Sequence, residues 1–237
     1  MKNNNERWTL AQEYEKNWWN ERSSRIDFEF YERFASDLRE YLKNVFKITP
    51  STSILEIGSG AGGIVTYLKE SNNRFAIDPL EKFYSTVSSF TEQRDKNVKY
   101  FTAKGENLPF ESKMFDLVIM DNVLDHCDDP QKVMSEVKRV LKEKGILYFK
   151  QNTYHLWGRM IRSLMEIFLI DRGHPFTFSK KYLSKLMFSN GFKFIKSGRN
   201  GFYTTWKKEL LSKSKKDKLK AMLFVTRDKV TYLLRSD

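Results

Sequence analysis

Residues 55–63 read LEIGSGAGG, an apolar run that breaks into glycines at Gly58, Gly60 and Gly63. This is the G-x-G-x-x-G spacing, in which a turn after a strand brings backbone closer to a ligand than a β-carbon allows and opens a helix. Glu56 sits badly with a pyrophosphate at that turn. A like-charge pair at about 5 Å with an effective dielectric near 20 costs on the order of 3 kcal/mol. A dinucleotide is therefore disfavoured, and a ligand without phosphate that carries positive charge is favoured.

Outward from the turn, short apolar runs at 53–57, 74–77, 98–102, 115–120 and 146–150 alternate with helical stretches. The clearest helix is 130–142: Asp129 caps it, Pro130 suits its first turn, Val133, Val137, Val140 and Leu141 share a face, and Gly145 follows its end. Apolar strands alternating with helices predict a parallel sheet covered on both faces, with ligands beyond the carboxyl ends of the strands. Two helices, 6–20 and 26–46, precede the sheet. After it come a helix at 179–190, a strand at 192–197, a basic helix near 204–219 and a last strand at 221–226 running on toward 234.

Asp78 ends the second strand, eighteen residues past Gly60, where a carboxylate accepts hydrogen bonds from ribose hydroxyls. A helix cap is the alternative role. Asp78 suits any nucleoside, so Glu56 decides. The cationic, phosphate-free ligand that fits is S-adenosylmethionine, with its ammonium and sulfonium groups.

Four blocks carry a family likeness: ILEIGSGAGG (54–63), FAIDPL (75–80), AKGENLPFESKMFDLVIMDNVLDH (103–126) and DDPQKVMSEVKRVLKEKGILYF (128–149). In this order and spacing they resemble the class I S-adenosylmethionine-dependent methyltransferases, in particular their small-molecule, type 11-like branch. The resemblance implies an α/β, Rossmann-like, doubly wound and mostly parallel seven-stranded sheet with helices on both faces and an antiparallel final strand. It implies one methyltransferase domain over 1–237, divided into an N-terminal helical extension (1–48), a cofactor-binding core (49–152), a helical lid or substrate insertion (153–178) and a C-terminal part of the sheet with a basic helix (179–237).

By the same resemblance Glu56, Gly58, Ser59, Gly60 and Gly62 hold the methionine end of the cofactor. Asp78 holds the ribose, and Pro79 and Leu80 lie against adenine. Lys104 stands where the family often has an acid facing the adenine amino group, which leaves that contact to Gly105 and Glu106. Asp121, Asn122 and Val123 line the floor near the transferred methyl, although Asp121 also suits a plain turn. The product is S-adenosylhomocysteine.

Aligning the acceptor and excluding water is most of what methyl transfer from a sulfonium asks of a protein. A hydroxyl acceptor gains from a base. His126, after the fourth strand, is the first candidate, and His174 in DRGHPFTFS is a second. His155 and Trp157 are candidate substrate contacts, as are Tyr14, Trp18 and Trp19 in AQEYEKNWWNER, which suit closure over the site. No metal is expected, because Lys150, Gln151 and Asn152 stand where metal-dependent relatives carry acid and amide ligands and Lys150 repels a divalent cation. Trp157, Met160, Ile161, Leu164, Met165 and Phe168 share a helical face suited to a roof, a membrane surface or a dimer contact.

Composition bounds the rest. Hydrophobic residues are 40% of 237 and aromatics 15%, enough for a packed core. No signal segment or membrane span is legible, and a lone cysteine, Cys127, suits a reducing compartment, so a cytoplasmic protein is expected. Net charge is +12, and residues 193–237 hold 13 Lys or Arg against 4 Asp or Glu. That favours an anionic partner: a small anionic or sugar-containing substrate, a peripheral membrane contact or, less well, nucleic acid. The function expected is metal-free methyl transfer to oxygen or nitrogen of a small molecule, with a sugar or glycan-linked acceptor the leading choice. An RNA methyltransferase using the basic region and a non-catalytic cofactor-binding scaffold remain open.

Overall fold

The computed structural model describes residues 4–167 and 173–236. Before the sheet lie helices α1 (Asn4–Asn20) and α2 (Glu29–Leu42). The strands are β1 (Ser53–Ile57), β2 (Asn73–Asp78), β3 (Val98–Thr102), β4 (Phe115–Asp121), β5 (Leu141–Thr153), β6 (Phe192–Asn200) and β7 (Asp228–Ser236). They form one seven-stranded sheet in the order β3-β2-β1-β4-β5-β7-β6. Pairing is parallel from β3 through β5, and β7 runs antiparallel between β5 and β6. The expected sheet, with its antiparallel final strand, is the one observed.

The remaining helices are α3 (Glu81–Tyr84), α4 (Ser88–Thr91), α5 (Pro130–Val140), α6 (Leu156–Ile167), α7 (Lys180–Ser189), α8 (Phe202–Leu210) and α9 (Lys215–Met222). Alternation along the strands splits the core in two. Leu55, Ile57, Val118, Met120, Leu147 and Phe149 face α5 and α7. Ile54, Ala76, Leu117, Ile119 and Tyr148 face α2 and an aromatic group of Trp19, Phe28, Tyr84 and Phe90. Asp129 caps α5 as its sequence position predicts, accepting from Gln131 N and Lys132 N.

Three features differ from expectation. After the glycine turn, where the spacing predicts a helix, the chain makes only a 3-10 turn, Ile64–Tyr67. There Thr66 Oγ1 donates to Gly62 O at 2.7 Å, and the aromatic cluster under α2 fills the space a longer helix would need. The lysine-rich helix is two helices, because Ser214 caps a new start by accepting from Asp217 N. The last strand is 228–236 and not 221–226. Ala221 and Met222 finish α9, Phe224 turns the chain at φ 52°, and 228–236 finds hydrogen-bonding strands on both sides. Of the segment expected as a lid, Phe168 and residues 169–172 lie outside the described residues.

Candidate active site at the strand ends

Because β7 is antiparallel, its first residues meet the carboxyl ends of β1, β2, β4 and β5. A cavity of about 350 Å³ opens at this edge, within the roughly 300–1,000 Å³ usual for small-molecule sites. Glu56, Gly58, Ser59, Gly60, Asp78, Pro79, Gly105, Glu106, Asp121, Asn122, Val123 and His126 all line it. Gly62 and Leu80 do not. A β-carbon on Gly62 would lie 2.5 Å from the Phe28 ring, so Gly62 permits packing and not ligand approach.

At the turn, Gly58 N and Ser59 N both donate to Ile77 O, at 2.8 and 3.1 Å. Asp78 ties the turn to the second strand: Oδ2 accepts from Gly60 N at 3.0 Å and Oδ1 from Leu80 N at 2.9 Å. Gly60, at φ 58°, leaves no room for a side chain, since a β-carbon there would lie 2.7 Å from the Tyr31 hydroxyl. A carboxylate has about four lone-pair sites, so Asp78 keeps acceptor capacity toward the cavity.

Glu56 is 3% exposed, and its Oε2 accepts from Val65 N at 2.9 Å. Burial pushes its carboxyl up to about 8, and that of Asp78 up to about 7. This corrects the charge reasoning made from sequence. A carboxyl raised in this way repels phosphate less at neutral pH than a free glutamate would. A bound cation restores its charge. The missing helix N-terminus also counts against a pyrophosphate, because the 3-10 turn offers no aligned row of amides and Glu56 already takes Val65 N.

Past β4, Asp121 pairs with Lys150 at 3.0 Å, both largely buried. Asn122, at φ 58°, donates its N–H to Lys150 O, and its Oδ1 accepts from Asn152 N at 3.1 Å and from Gln151 Nε2 at 3.3 Å. Gln151 also donates to Asp125 Oδ1 at 2.8 Å. These bonds hold the β4 loop to the end of β5. Asn152 Oδ1, which belongs to a residue lining the cavity, is buried and has no hydrogen-bond partner among the described residues. A buried acceptor left unmet costs free energy that a ligand donor recovers.

Helix α1 supplies one wall through Trp8, Gln12, Glu15 and Trp19. These positions follow helical spacing on a single face, a pattern that marks them in the sequence once the helix is oriented. Of the three aromatics expected there, Trp19 lines the cavity and donates its indole N–H to Glu15 at 2.9 Å. Tyr14 and Trp18 do not line it, and Trp18 instead lies under Arg22 at 4.3 Å. Lys104 is not a defective adenine contact: its ammonium sits 3.4 Å from the Trp8 ring centroid and pins α1 to the core. Glu106 Oε1 accepts from Asp128 N and Asp129 N, and both Gly105 and Glu106 line the cavity.

His126 lines the cavity, and its ring packs against His174 with centroids 4.6 Å apart. His174 does not line the cavity itself. Among the described residues the donor atoms of Asp125, His126 and His174 lie within 4.8 Å of one another, a grouping not foreseen from sequence. His155 and Trp157 turn elsewhere, hydrogen-bonding to the carbonyls of Phe224 at 2.8 Å and Leu223 at 3.1 Å. Among the lining residues not singled out as site residues beforehand are Trp8, Gln12, Glu15, Tyr31, Phe34, Arg227 and Lys229. Tyr31 donates to Ser59 O at 2.9 Å, a contact between distant segments with no local signature.

Residues 55–149 match the family model of a methyltransferase domain. That segment carries the glycine turn and strands of the parallel part of the sheet, and the fold is one shared with solved methyltransferases. The structure of YcgJ from Bacillus subtilis superposes with a TM-score of 0.65 at 16% identity, over 86% of this chain and 98% of that one. Geranyl diphosphate C-methyltransferase from Streptomyces coelicolor A3(2), solved with Mg2+, geranyl diphosphate and S-adenosyl-L-homocysteine, gives 0.65 at 13%, covering 87% and 80%. In sequence, the rat thiol S-methyltransferase TMT1B is 29% identical over 144 residues, 55% of this chain and 59% of that protein. The chain thus spans less than two thirds of the length of such curated relatives. Among the described residues no helix is long and apolar enough to cross a membrane.

Proposed function

We propose that the protein transfers a methyl group from S-adenosylmethionine to oxygen or nitrogen of a small molecule carrying an anionic group. One observation carries the reading: a single cavity gathers Glu56, the Gly58–Gly60 turn, Asp78 and His126 at the edge where β1, β2 and β4 end. The cavity fits the cofactor in size and in two carboxyls that gain charge beside a cation. When bound, S-adenosylmethionine supplies a methyl group on an already activated sulfonium, open to in-line displacement.

The chain's residues then have distinct tasks. Asp78 receives the ribose hydroxyls, Glu56 and the turn hold the methionine end, and Trp8 and Trp19 keep water off that side. His126 takes the proton that the acceptor loses. Arg227 and Lys229 line the same cavity, and neither forms an ion pair among the described residues. Burial, then Lys150 and Arg227, lower the pKa of Lys229, and an anion placed there would oppose that shift. The sugar expected as acceptor has no counterpart in the relatives' names, which print a thiol and geranyl diphosphate, and Tyr14 and Trp18 do not line the cavity. The reading therefore keeps the anionic handle and drops the sugar.

Isothermal titration with S-adenosylhomocysteine tests the reading. Saturable one-site binding that Asp78→Ala weakens is expected. Absence of binding heat at several temperatures, with the protein folded, would remove both cofactor and activity.

A further inference from the structure

The far side of the cavity mouth carries a surface that methyl transfer does not use. Trp157, Met160, Tyr203, Leu211, Met222 and Phe224 are each at least half exposed, with Tyr203 at 80%, Leu211 at 73% and Met222 at 69%. Single exposed apolar residues need no account, but six on joined elements do. They are joined. Trp157 and His155, at the start of α6, hydrogen-bond to the carbonyls of Leu223 and Phe224. Trp206 of α8 donates to Ala221 O at 2.9 Å and stacks on Phe224, fastening α8 to the end of α9.

The same elements are basic. Residues 202–224 contain seven lysines against Glu209 and Asp217, and α6 adds Arg159 and Arg162. From this combination we infer that α6, α8 and α9 form a docking surface for an anionic lipid bilayer, with the apolar side chains entering the interface and the lysines meeting the headgroups. Lysines with Trp157, Tyr203 and Phe224 would also suit a polynucleotide, but the exposed Met160, Leu211 and Met222 offer it neither a phosphate contact nor a stacking face. A lipid interface uses both halves of the surface.

Position gives the docking a purpose. Phe224 is three residues before Arg227, and His155 is three after Asn152, and both Arg227 and Asn152 line the cavity. The docked face therefore adjoins the cation-lined end of the site. An amphiphilic acceptor with an anionic head would reach Arg227 and Lys229 without leaving the interface. This consequence rests on the proposed activity, whereas the docking does not, since it is measured without cofactor or turnover.

The test is sedimentation of the full chain with phosphatidylcholine vesicles, with and without phosphatidylglycerol, over a salt series. Binding is expected only with phosphatidylglycerol, weakening as salt rises. The double variant Leu211→Glu, Met222→Glu alters exposed positions and should keep its circular dichroism and S-adenosylhomocysteine affinity. Its vesicle partitioning should fall by on the order of tenfold or more, as apolar insertion is lost. Any of four results would overturn the inference: no partitioning onto phosphatidylglycerol vesicles, equal partitioning by the double variant, a parent dimer that the double variant abolishes, or retention on single-stranded RNA without vesicle binding. Failure here with intact cofactor binding would leave the methyltransferase reading standing.

Discussion

At the scale of single residues, the two buried carboxyls make the empty protein sensitive to pH. Glu56 moves from 4.5 to about 8 and Asp78 from 3.8 to about 7, both chiefly through burial. Each native carboxyl therefore binds its proton more tightly than in the unfolded chain, and stability falls as pH rises between the unfolded and folded values. Thermal melts of ligand-free protein should show Tm declining from about pH 5 to about pH 8, and Glu56→Gln should flatten that decline. A cation in the cavity favours the ionised forms, so cofactor binding at pH 7 should release protons. Titration heats at that pH should then differ between phosphate and Tris by the ionisation enthalpy of the buffer, and identical heats would count against ionisation on binding. Asp78→Ala removes charge-assisted hydrogen bonds and should weaken cofactor binding by roughly 1–3 kcal/mol. His126→Ala should lower turnover about a hundredfold if the imidazole takes the acceptor's proton. EDTA separates that role from a metal at Asp125, His126 and His174, since a base works in chelator and a metal site does not. Glu56, Asp78 and His126 were legible in the sequence because the first two lie at strand ends and the third follows a strand. Their protonation was not, because burial depends on α1 and α2 folding back over the turn.

At the scale of elements, what was legible divides by how local its cause is. The five parallel strands and α5 announce themselves through apolar runs, a cap at Asp129 and Pro130. The basic tail misled, since AMLFV at 221–225 has the composition of a strand and yet closes α9. Only pairing partners on both sides favour 228–236, and pairing is invisible in one sequence. The N-terminal helix is the other case. Aromatics near its end suggested closure over the site, but which of them face inward depends on the docking angle set by Lys104 under Trp8. Lys104→Ala should therefore act through α1. Hydrogen exchange over residues 4–20 should quicken in the variant, S-adenosylhomocysteine should bind roughly three- to thirtyfold more weakly, as loss of about 0.5–2 kcal/mol of cation–π attraction implies, and Tm should hardly move. A fall in Tm with unchanged exchange in α1 would place the effect in the core instead.

At the scale of the whole molecule, the sheet order assigns the two halves of the site to different parts of the chain. The glycine turn and Asp78 come from 56–78, at the centre of the sheet. Arg227 and Lys229 come from some 150 residues later, and reach the same edge only because β7 runs against its neighbours, with Lys229 opposite Asn152. No motif reports this, which is why these cations escaped the sequence even though the excess of basic charge in the tail did not. The arrangement predicts that cofactor and acceptor affinities separate on mutation. Arg227→Ala with Lys229→Ala leaves Glu56, Asp78 and the turn untouched, so S-adenosylhomocysteine affinity should stay within twofold or so of the parent. Losing two cations that hydrogen-bond an anion should raise KM for an anionic acceptor by roughly tenfold to a hundredfold, from about 1.5–3 kcal/mol, with kcat changing far less. A neutral analogue of the same acceptor should not distinguish variant from parent. If the double variant instead loses S-adenosylhomocysteine binding while acceptor KM holds, the two cations serve the cofactor's own carboxylate, and the anionic handle has to be given up.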